Sequence, residues 1–382
     1  MGTSKGLASA WHLMGELMLH VVQGRWTAEQ ARHWYKSQPW FVGCNFIPAY
    51  AINQIEMWQP DTFDLSAIDR ELGFAASVGM NAVRIYLHDL IWAADPAGFE
   101  ERIDCVLEVA SRHGIRAMLV FFDSCWHPEP ELGQQRIPLT GIHNSGWVQS
   151  PGMPALADPA QHPRLQRYVE SVVARFAHDN RIIAWDIWNE PDNGALVSLC
   201  DHQILTEKAE LVRPLLVEAF GWARRQNPSQ PLTSGVWLGD WSASHHLSAL
   251  QNAQLELSDI ITFHNYSDVT DFGTRIDWLR VYDRPLICTE FMARPAGSTF
   301  EAILPHAHAH DVGVFCWGLV KGKTQTHLPW DSWATPYLDE PAGPWFHDIF
   351  HHDGTPHDPL EVAFIRAMTL AAAEKASASI AA

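Results

Sequence analysis

The sequence predicts a closed (β/α)8 TIM barrel with an N-terminal helical extension and long loops after its strands. Eight short apolar runs alternate with segments of helical periodicity, the pattern of parallel strands covered on both faces by helices. Polar residues gather where the runs end, the end at which such barrels carry their chemistry. No GxGxxG follows the first run, so the fingerprint of an open dinucleotide-binding sheet is missing. A single catalytic domain over residues 1–382 accommodates this pattern: a helical extension over 1–38, barrel strands within 40–320, and a C-terminal loop and last helix over 321–382.

Leu7, Trp11, Met14, Met18 and Val21 recur at helical spacing, and Thr27 with Gln30 makes a capping box for a second short helix. Both are expected to pad the barrel from outside. WFVGCNFI from Trp40 is the first strand; Leu65, Ile68, Leu72 and Ala75 mark one face of a helix over Asp64 to Val78. AVRIYLH from Ala82 is the second strand, followed by a helix over about Phe99 to His113, and IRAMLVFF from Ile115 is the third. The Pro- and Gly-rich stretch from Ser124 to Pro163 is longer than a compact domain tolerates unless it covers a site, and reads as an active-site wall. A helix near Arg164 to His178 leads into RIIAWDIWNEP, the fourth strand, which Pro191 must end because it cannot donate to a sheet ladder. After a helix over about His202 to Gln226 comes PLTSGVWL, the fifth strand, and Ser244 to Glu256 reads as helical. DIITFHNY from Asp259 is the sixth strand, a helix near Arg275 to Tyr282 follows, and PLICTEF is the seventh. A helix ending at His310 precedes VGVFCWGLV, the eighth; a last helix follows Pro359, and Ala371 to Ala382 is expected to fray.

A formal charge of −18 argues against nucleic acid or anionic lipid as partner, both of which need clustered Lys and Arg. A neutral substrate fits more easily; oligomeric state is not legible. Six scattered cysteines without CxxC pairs read as reduced core residues. The first twenty residues lack a clean apolar segment, and no run approaches the length needed to cross a bilayer, so a cytoplasmic enzyme is expected.

Glu190 ends the fourth strand and Glu290 the seventh, and a closed barrel brings both ends to one mouth. Two carboxylates facing one cavity suggest glycoside hydrolysis, in which one acid protonates the leaving oxygen while a carboxylate meets the oxocarbenium-like centre. Burial beside a charged partner is expected to raise the pKa of the acid, and Arg84 at the end of the second strand to hold the other Glu ionised.

The motifs resemble those of glycoside hydrolase family five, or a close relative within clan A. They are WNEP at Trp188 to Pro191, Arg84 in NAVRIYL, His264 and Tyr266 in FHNY, Glu290 in ICTEF and Trp317 in FCWG, in order over roughly residues 40 to 330. The resemblance implies a retaining β-glycosidase with Glu190 as acid/base and Glu290 as nucleophile. It also implies that Asn189 bonds the sugar 2-hydroxyl, that His264 and Tyr266 line the cleavage subsite, that Tyr266 and Arg84 steer Glu290, and that Trp317 floors the sugar ring. The pattern departs at the end of the third strand, where family members commonly carry a His and this chain has Phe121, Phe122 and Asp123. Asp123 is a candidate to take over a sugar hydroxyl there.

Of 18 Trp, those near strand ends or in the following loops, Trp58, Trp126, Trp147, Trp237, Trp241, Trp330 and Trp333, are candidates to stack on sugar rings, Trp126 and Trp237 foremost. GLVKGKT at Gly318 is not a phosphate loop, because three residues rather than four separate Gly318 from Gly322. Lys321 and Lys323 there are open to contact with a hydroxyl-rich substrate. His306, His308 and His310 fall on an outer helix, and the first strand has no HxH, so neither a catalytic metal nor any cofactor is expected. The expectation is thus hydrolysis of a β-linked glycoside, exo action favoured because the third-strand loop can close one end of the cleft. An inactive sugar-binding barrel, or a transglycosylase using the same residues, stays open.

Overall fold

The computed structural model describes residues 24–193, 202–339 and 343–381. The helix expected over Leu7 to Val21, and Cys200, lie outside the described residues. The eight strands are β1 (Val42–Asn45), β2 (Ala82–Tyr86), β3 (Arg116–Asp123), β4 (Ile182–Asn189), β5 (Leu232–Thr233), β6 (Ile261–His264), β7 (Leu286–Phe291) and β8 (Gly313–Trp317). They pair in parallel in the order β5-β4-β3-β2-β1-β8-β7-β6. The seam between β5 and β6 is drawn together by a bridge from Val236 to Phe263 and by the Thr233 and Thr262 hydroxyls 2.8 Å apart. Eight parallel strands thus form a nearly closed (β/α)8 barrel. Almost every strand residue is buried, because helices cover the outer face and side chains fill the inside. At Gly43 the backbones of β1 and β2 approach so closely that a Cβ would sit 2.2 Å from the Ala82 carbonyl oxygen.

The helix Ala28–Lys36 carries the expected Thr27 and Gln30 capping box. It does not pad the barrel from outside, however. Ala31 and Tyr35 cluster with Phe41, Ala82, Met118 and Ile183 near the start of the strands, and the Tyr35 hydroxyl accepts from the Gly313 amide at 2.9 Å. It plugs the floor, opposite the mouth.

The fifth strand is shorter than expected because Ser234 leaves the ladder, its amide donating to the Ser258 hydroxyl at 3.1 Å and its hydroxyl to the Trp188 carbonyl at 2.8 Å. The helix expected from Arg275 begins at Val269, since Asp268 caps it by accepting from the Thr270 and Asp271 amides. Of the segment expected to be helical over Ser244 to Glu256, one tight turn over Ser244–His246 and the helix Ala249–Leu257 form. Short helices at Gln54–Trp58 and Asp89–Ala94, capped by Asn53 and His88, were not legible as periodic segments. The last helix spans Pro359–Ala381, through the Ala-rich stretch from Ala371. Among the described cysteines, Cys44, Cys125, Cys288 and Cys316 are buried and unpaired, whereas Cys105 is exposed. No helix among the described residues is long and apolar enough to cross a membrane.

The loop from Ser124 to Pro163 stands as a wall beside the mouth. It is tied to itself by bridges from Asp123 to Ser150 and His127 to Val148, and to the segment after β8 by the Asn144 amide on the Thr324 carbonyl at 2.6 Å and the Tyr337 amide on the Gly141 carbonyl at 2.9 Å.

Candidate active site

A cavity of about 320 Å³ opens at the C-terminal ends of the strands, near the lower end of the roughly 300–1,000 Å³ typical of ligand sites. Its lining includes Glu190, Glu290, Asn189, His264, Tyr266, Trp317, Trp126 and Trp237. Glu190 follows the last residue of β4 with φ +42°, a left-handed conformation unusual outside glycine, closed by the Asn193 amide on the Glu190 carbonyl at 2.8 Å. That turn ends the strand.

All four carboxylate oxygens have protein partners. Oε1 of Glu190 lies 2.9 Å from His264 Nδ1, and its Oε2 accepts from Asn193 Nδ2 at 2.7 Å and the Cys125 thiol at 3.2 Å. Oε1 of Glu290 accepts from Arg84 at 2.9 Å and from the Tyr86 hydroxyl at 2.9 Å, and its Oε2 from the Tyr266 hydroxyl at 2.7 Å. His264 Nδ1 is also 3.5 Å from Oε2 of Glu290, so the imidazole stands between the two acids. Ligating atoms of Glu190, His264 and Glu290 all lie within 4.8 Å of one another, the one such cluster among the described residues. Arg84 already places a full positive charge against Glu290. Every carboxylate oxygen of the two acids thus has a protein group against it.

Arg84 organises the floor. Its guanidinium donates to Asp186 at 2.8 and 3.0 Å, to Asn45 at 2.9 Å, to the Asn189 carbonyl oxygen at 2.8 Å and to Glu290. Burial works against its charge, but Tyr86, Asp186 and Glu290 outweigh burial and keep it cationic. Because Arg84 takes the amide oxygen of Asn189, the Asn189 Nδ2 is turned to Asp123 at 3.0 Å.

Asp123 does not line the cavity. It is fully buried behind Asn189, accepting from Trp147 Nε1 at 2.5 Å, the Cys125 amide at 3.1 Å and Gln54 at 3.2 Å. A direct hold on a sugar hydroxyl is thereby corrected to support of Asn189 and Trp147. Burial pushes its pKa up to about 7, against the pull of these donors.

The expectation for Glu190 also changes. Burial does push its pKa up, but the contacts from His264, Asn193 and Cys125 outweigh that, and the net direction is downward. Replacing His264 with Phe removes the strongest of those opposing contacts, so the pKa of Glu190 should rise. In the acid role expected of Glu190 the carboxyl must be protonated to act, so activity would fall as pH climbs through its pKa. The alkaline limb of kcat/KM should therefore move to higher pH in His264→Phe, although the rate itself falls; an unmoved or lowered limb would contradict this pairing.

Among the tryptophans, Trp126, Trp147, Trp237, Trp317 and Trp330 line the cavity. Trp58 and Trp241 are core residues, their indole N–H groups donating to the Tyr86 and Leu238 carbonyls, and Trp333 packs on Trp126 from behind. Lys321 sits over the Trp345 ring and Lys323 pairs with Glu56, and neither reaches the cavity. Gly322 packs against the Ala49 backbone, where a Cβ would come within 2.4 Å.

Several site residues escaped the sequence. Tyr86 carried a signal, standing two positions after Arg84 on the same strand face, and Asp186 was a charge inside an apolar run. Cys125, His143, Asn144, Asn193 and His347 line the cavity from loops without any periodic signal.

Comparison with known proteins agrees with this geometry. The matched region of the chain is 24% identical over 186 residues to mannan endo-1,4-beta-mannosidase A of Emericella nidulans, covering 48% of this chain and 43% of that protein. The enzyme of the same name from Hypocrea jecorina is 21% identical over 178 residues, covering 47% and 38%. The matched region thus spans about two fifths of the length of these curated relatives. Among solved structures, beta-glucosidase 1317 superposes with TM-score 0.58 at 14% identity over 86% of this chain and 98% of that one. The exo-beta-1,4-mannosidase Op5Man5 of an Opitutaceae bacterium does so with TM-score 0.55 at 19% identity over 87% and 60%; both likenesses are of fold. The model of the family described as cellulase (glycosyl hydrolase family 5) matches residues 49–334, and with the two strand-end acids on one cavity the chain belongs to glycosyl hydrolase family 5.

Proposed function

We propose that this chain hydrolyses a β-linked, mannoside-type glycoside with retention of configuration, releasing sugar from a chain end. The spacing of the acids carries the reading. Carboxyl groups about 5–5.5 Å apart suit double displacement, whereas inverting pairs stand roughly 6.5–9.5 Å apart to admit a water. One oxygen of Glu190 lies within 4.8 Å of one oxygen of Glu290, an approach that favours the closer arrangement.

Glu290, held at both oxygens by Arg84, Tyr86 and Tyr266, attacks the anomeric carbon, and Glu190 protonates the departing oxygen and then deprotonates the incoming water. In this reading Asn189, whose amide is turned by Arg84 and Asp123, meets the sugar 2-hydroxyl, and the cavity residue Trp317 floors the ring. The wall formed by the third-strand loop and the segment after β8 supports exo action, because a laced wall favours a pocket over an open groove. The mannose preference rests on the names of the relatives.

The test is product stereochemistry: NMR of fresh hydrolysate from an aryl β-mannoside should show the β-anomer first, before mutarotation. Initial α-anomer would end the double-displacement reading. Glu190→Gln should divide substrates by leaving group. Glycosides of good leaving groups such as dinitrophenol, which depart without a proton, should keep most of their first-step rate, whereas oligosaccharides should lose about 10²- to 10⁴-fold. Equal losses on both would remove Glu190 from the acid role.

A further inference from the structure

At one side of the cavity two imidazoles meet, His143 from the third-strand loop and His347 from the segment after β8, their rings 5.3 Å apart. Each turns Nδ1 to a backbone carbonyl, His143 to Leu328 at 2.8 Å and His347 to Met292. A carbonyl oxygen only accepts, so each Nδ1 carries its hydrogen. Burial keeps both rings neutral: His143 is pushed down to about 4 and His347 well below the usual histidine range. A neutral ring protonated at Nδ1 presents a bare lone pair at Nε2. His347 Nε2 is buried without a protein partner, and so is Oδ1 of Asn144, the cavity residue that follows His143 in the chain and has a left-handed backbone at φ +48°. Buried polar atoms are seldom left unpaired, and acceptors lining a cavity await donors.

We infer that His143, Asn144 and His347 form an acceptor set that selects an uncharged sugar by its hydroxyl donors, and that they are specificity-determining residues for the glycone. The inference rests on the function proposed above. Its side of the cavity follows from contact: the Tyr266 ring lies 5.5 Å from His347 while its hydroxyl bonds Glu290, the attacking acid. The leaving-group side is where Asn193 touches Glu190 and Trp237 bonds Asp192. A carboxylate brought to the acceptor set would face lone pairs, while the cavity's cations are already paired, Arg84 with Asp186 and Glu290 beneath it and Arg275 with Asp271, so uronic acids are disfavoured by repulsion and desolvation.

The experiment uses the full chain, 4-nitrophenyl β-mannoside and β-glucoside, their monofluoro-deoxy analogues at C3, C4 and C6, and 4-nitrophenyl β-glucuronide. Fluorine accepts but does not donate, so the wild type should lose about tenfold to a hundredfold in kcat/KM on at least one fluoro analogue. His347→Asn keeps a donor for the Met292 carbonyl but, being shorter, has no acceptor at the position of Nε2; it should lose a similar factor on the parent glycoside yet suffer no further from that fluorine. Asn144→Gly, which suits the left-handed backbone, should behave likewise toward one hydroxyl. The glucuronide should not be cleaved. Fluorine penalties unchanged in both variants, parent kcat/KM within twofold of wild type in both, or cleavage of glucuronide as fast as glucoside would each overturn the inference while leaving the proposed function standing. If His347→Asn shows no cooperative thermal transition, the wild-type fluoro series and Asn144→Gly decide alone. Failure of the wild type on every neutral glycoside is read separately, and would remove the functional proposal and this inference together.

Discussion

Glu290→Gln should reduce turnover on every glycoside by on the order of 10⁴-fold or more, whatever the leaving group, because in the proposed double displacement an amide cannot form the glycosyl ester that splits the reaction into two steps. That indifference separates it from Glu190→Gln, where an activated leaving group restores the first step. Gln has nearly the same shape, but it exchanges an acceptor facing Arg84, Tyr86 and Tyr266 for an amide. The lost charge-assisted bonds should cost about 1–3 kcal/mol of stability. Arg84 keeps its two bonds to Asp186, so no buried cation is stranded and the variant should fold. Steady-state kinetics on a dinitrophenyl glycoside and on an oligosaccharide, with a thermal melt, decide the matter; more than a few per cent of wild-type activity on either substrate would remove Glu290 from the nucleophile's role.

Arg84→Met should be the most damaging single change to the floor of the site. Met fills much of the same volume without charge, leaving Asp186 and Glu290 buried with no counter-ion. Removing one partner of a buried pair generally costs about 3–5 kcal/mol, because the charge left behind has lost both water and its partner. Asn189 loses the bond that orients its amide, and Glu290 loses its cation, so kcat/KM should fall by at least about 10²-fold alongside the stability. Arg84→Lys should recover only part of either loss, since one ammonium cannot reproduce the planar fork that serves Asp186, Asn45, Asn189 and Glu290 at once. Denaturant unfolding of the two variants against wild type measures this, and an Arg84→Met protein within 1 kcal/mol of wild type would refute the buried-pair argument.

Much of this protein was legible in its sequence because the signals were local and periodic. Alternating apolar runs and helical stripes gave the barrel, the Thr27 and Gln30 pair gave a helix start, and the abrupt polarity at Trp188–Glu190 and in ICTEF gave the two acids. Two boundary signals carried by a single polar residue did not show in the pattern: Asp268 starts a helix six residues before the apolar stripe becomes visible, and Ser234 ends a strand that its neighbours would have continued.

Residue types and strand periodicity alone determined the architecture, the end of the barrel that bears the chemistry, and the pairing of Glu190 with Glu290 across it. Only the tertiary structure decided that His264 stands between those acids and draws the pKa of Glu190 down, that Asp123 serves from behind Asn189, and that His143, Asn144 and His347 reach the cavity at all. The reason is physical. Position along a strand is set by short-range stereochemistry, whereas desolvation, charge proximity and the reach of long loops depend on distances between residues far apart in the chain, which exist only once the barrel has closed.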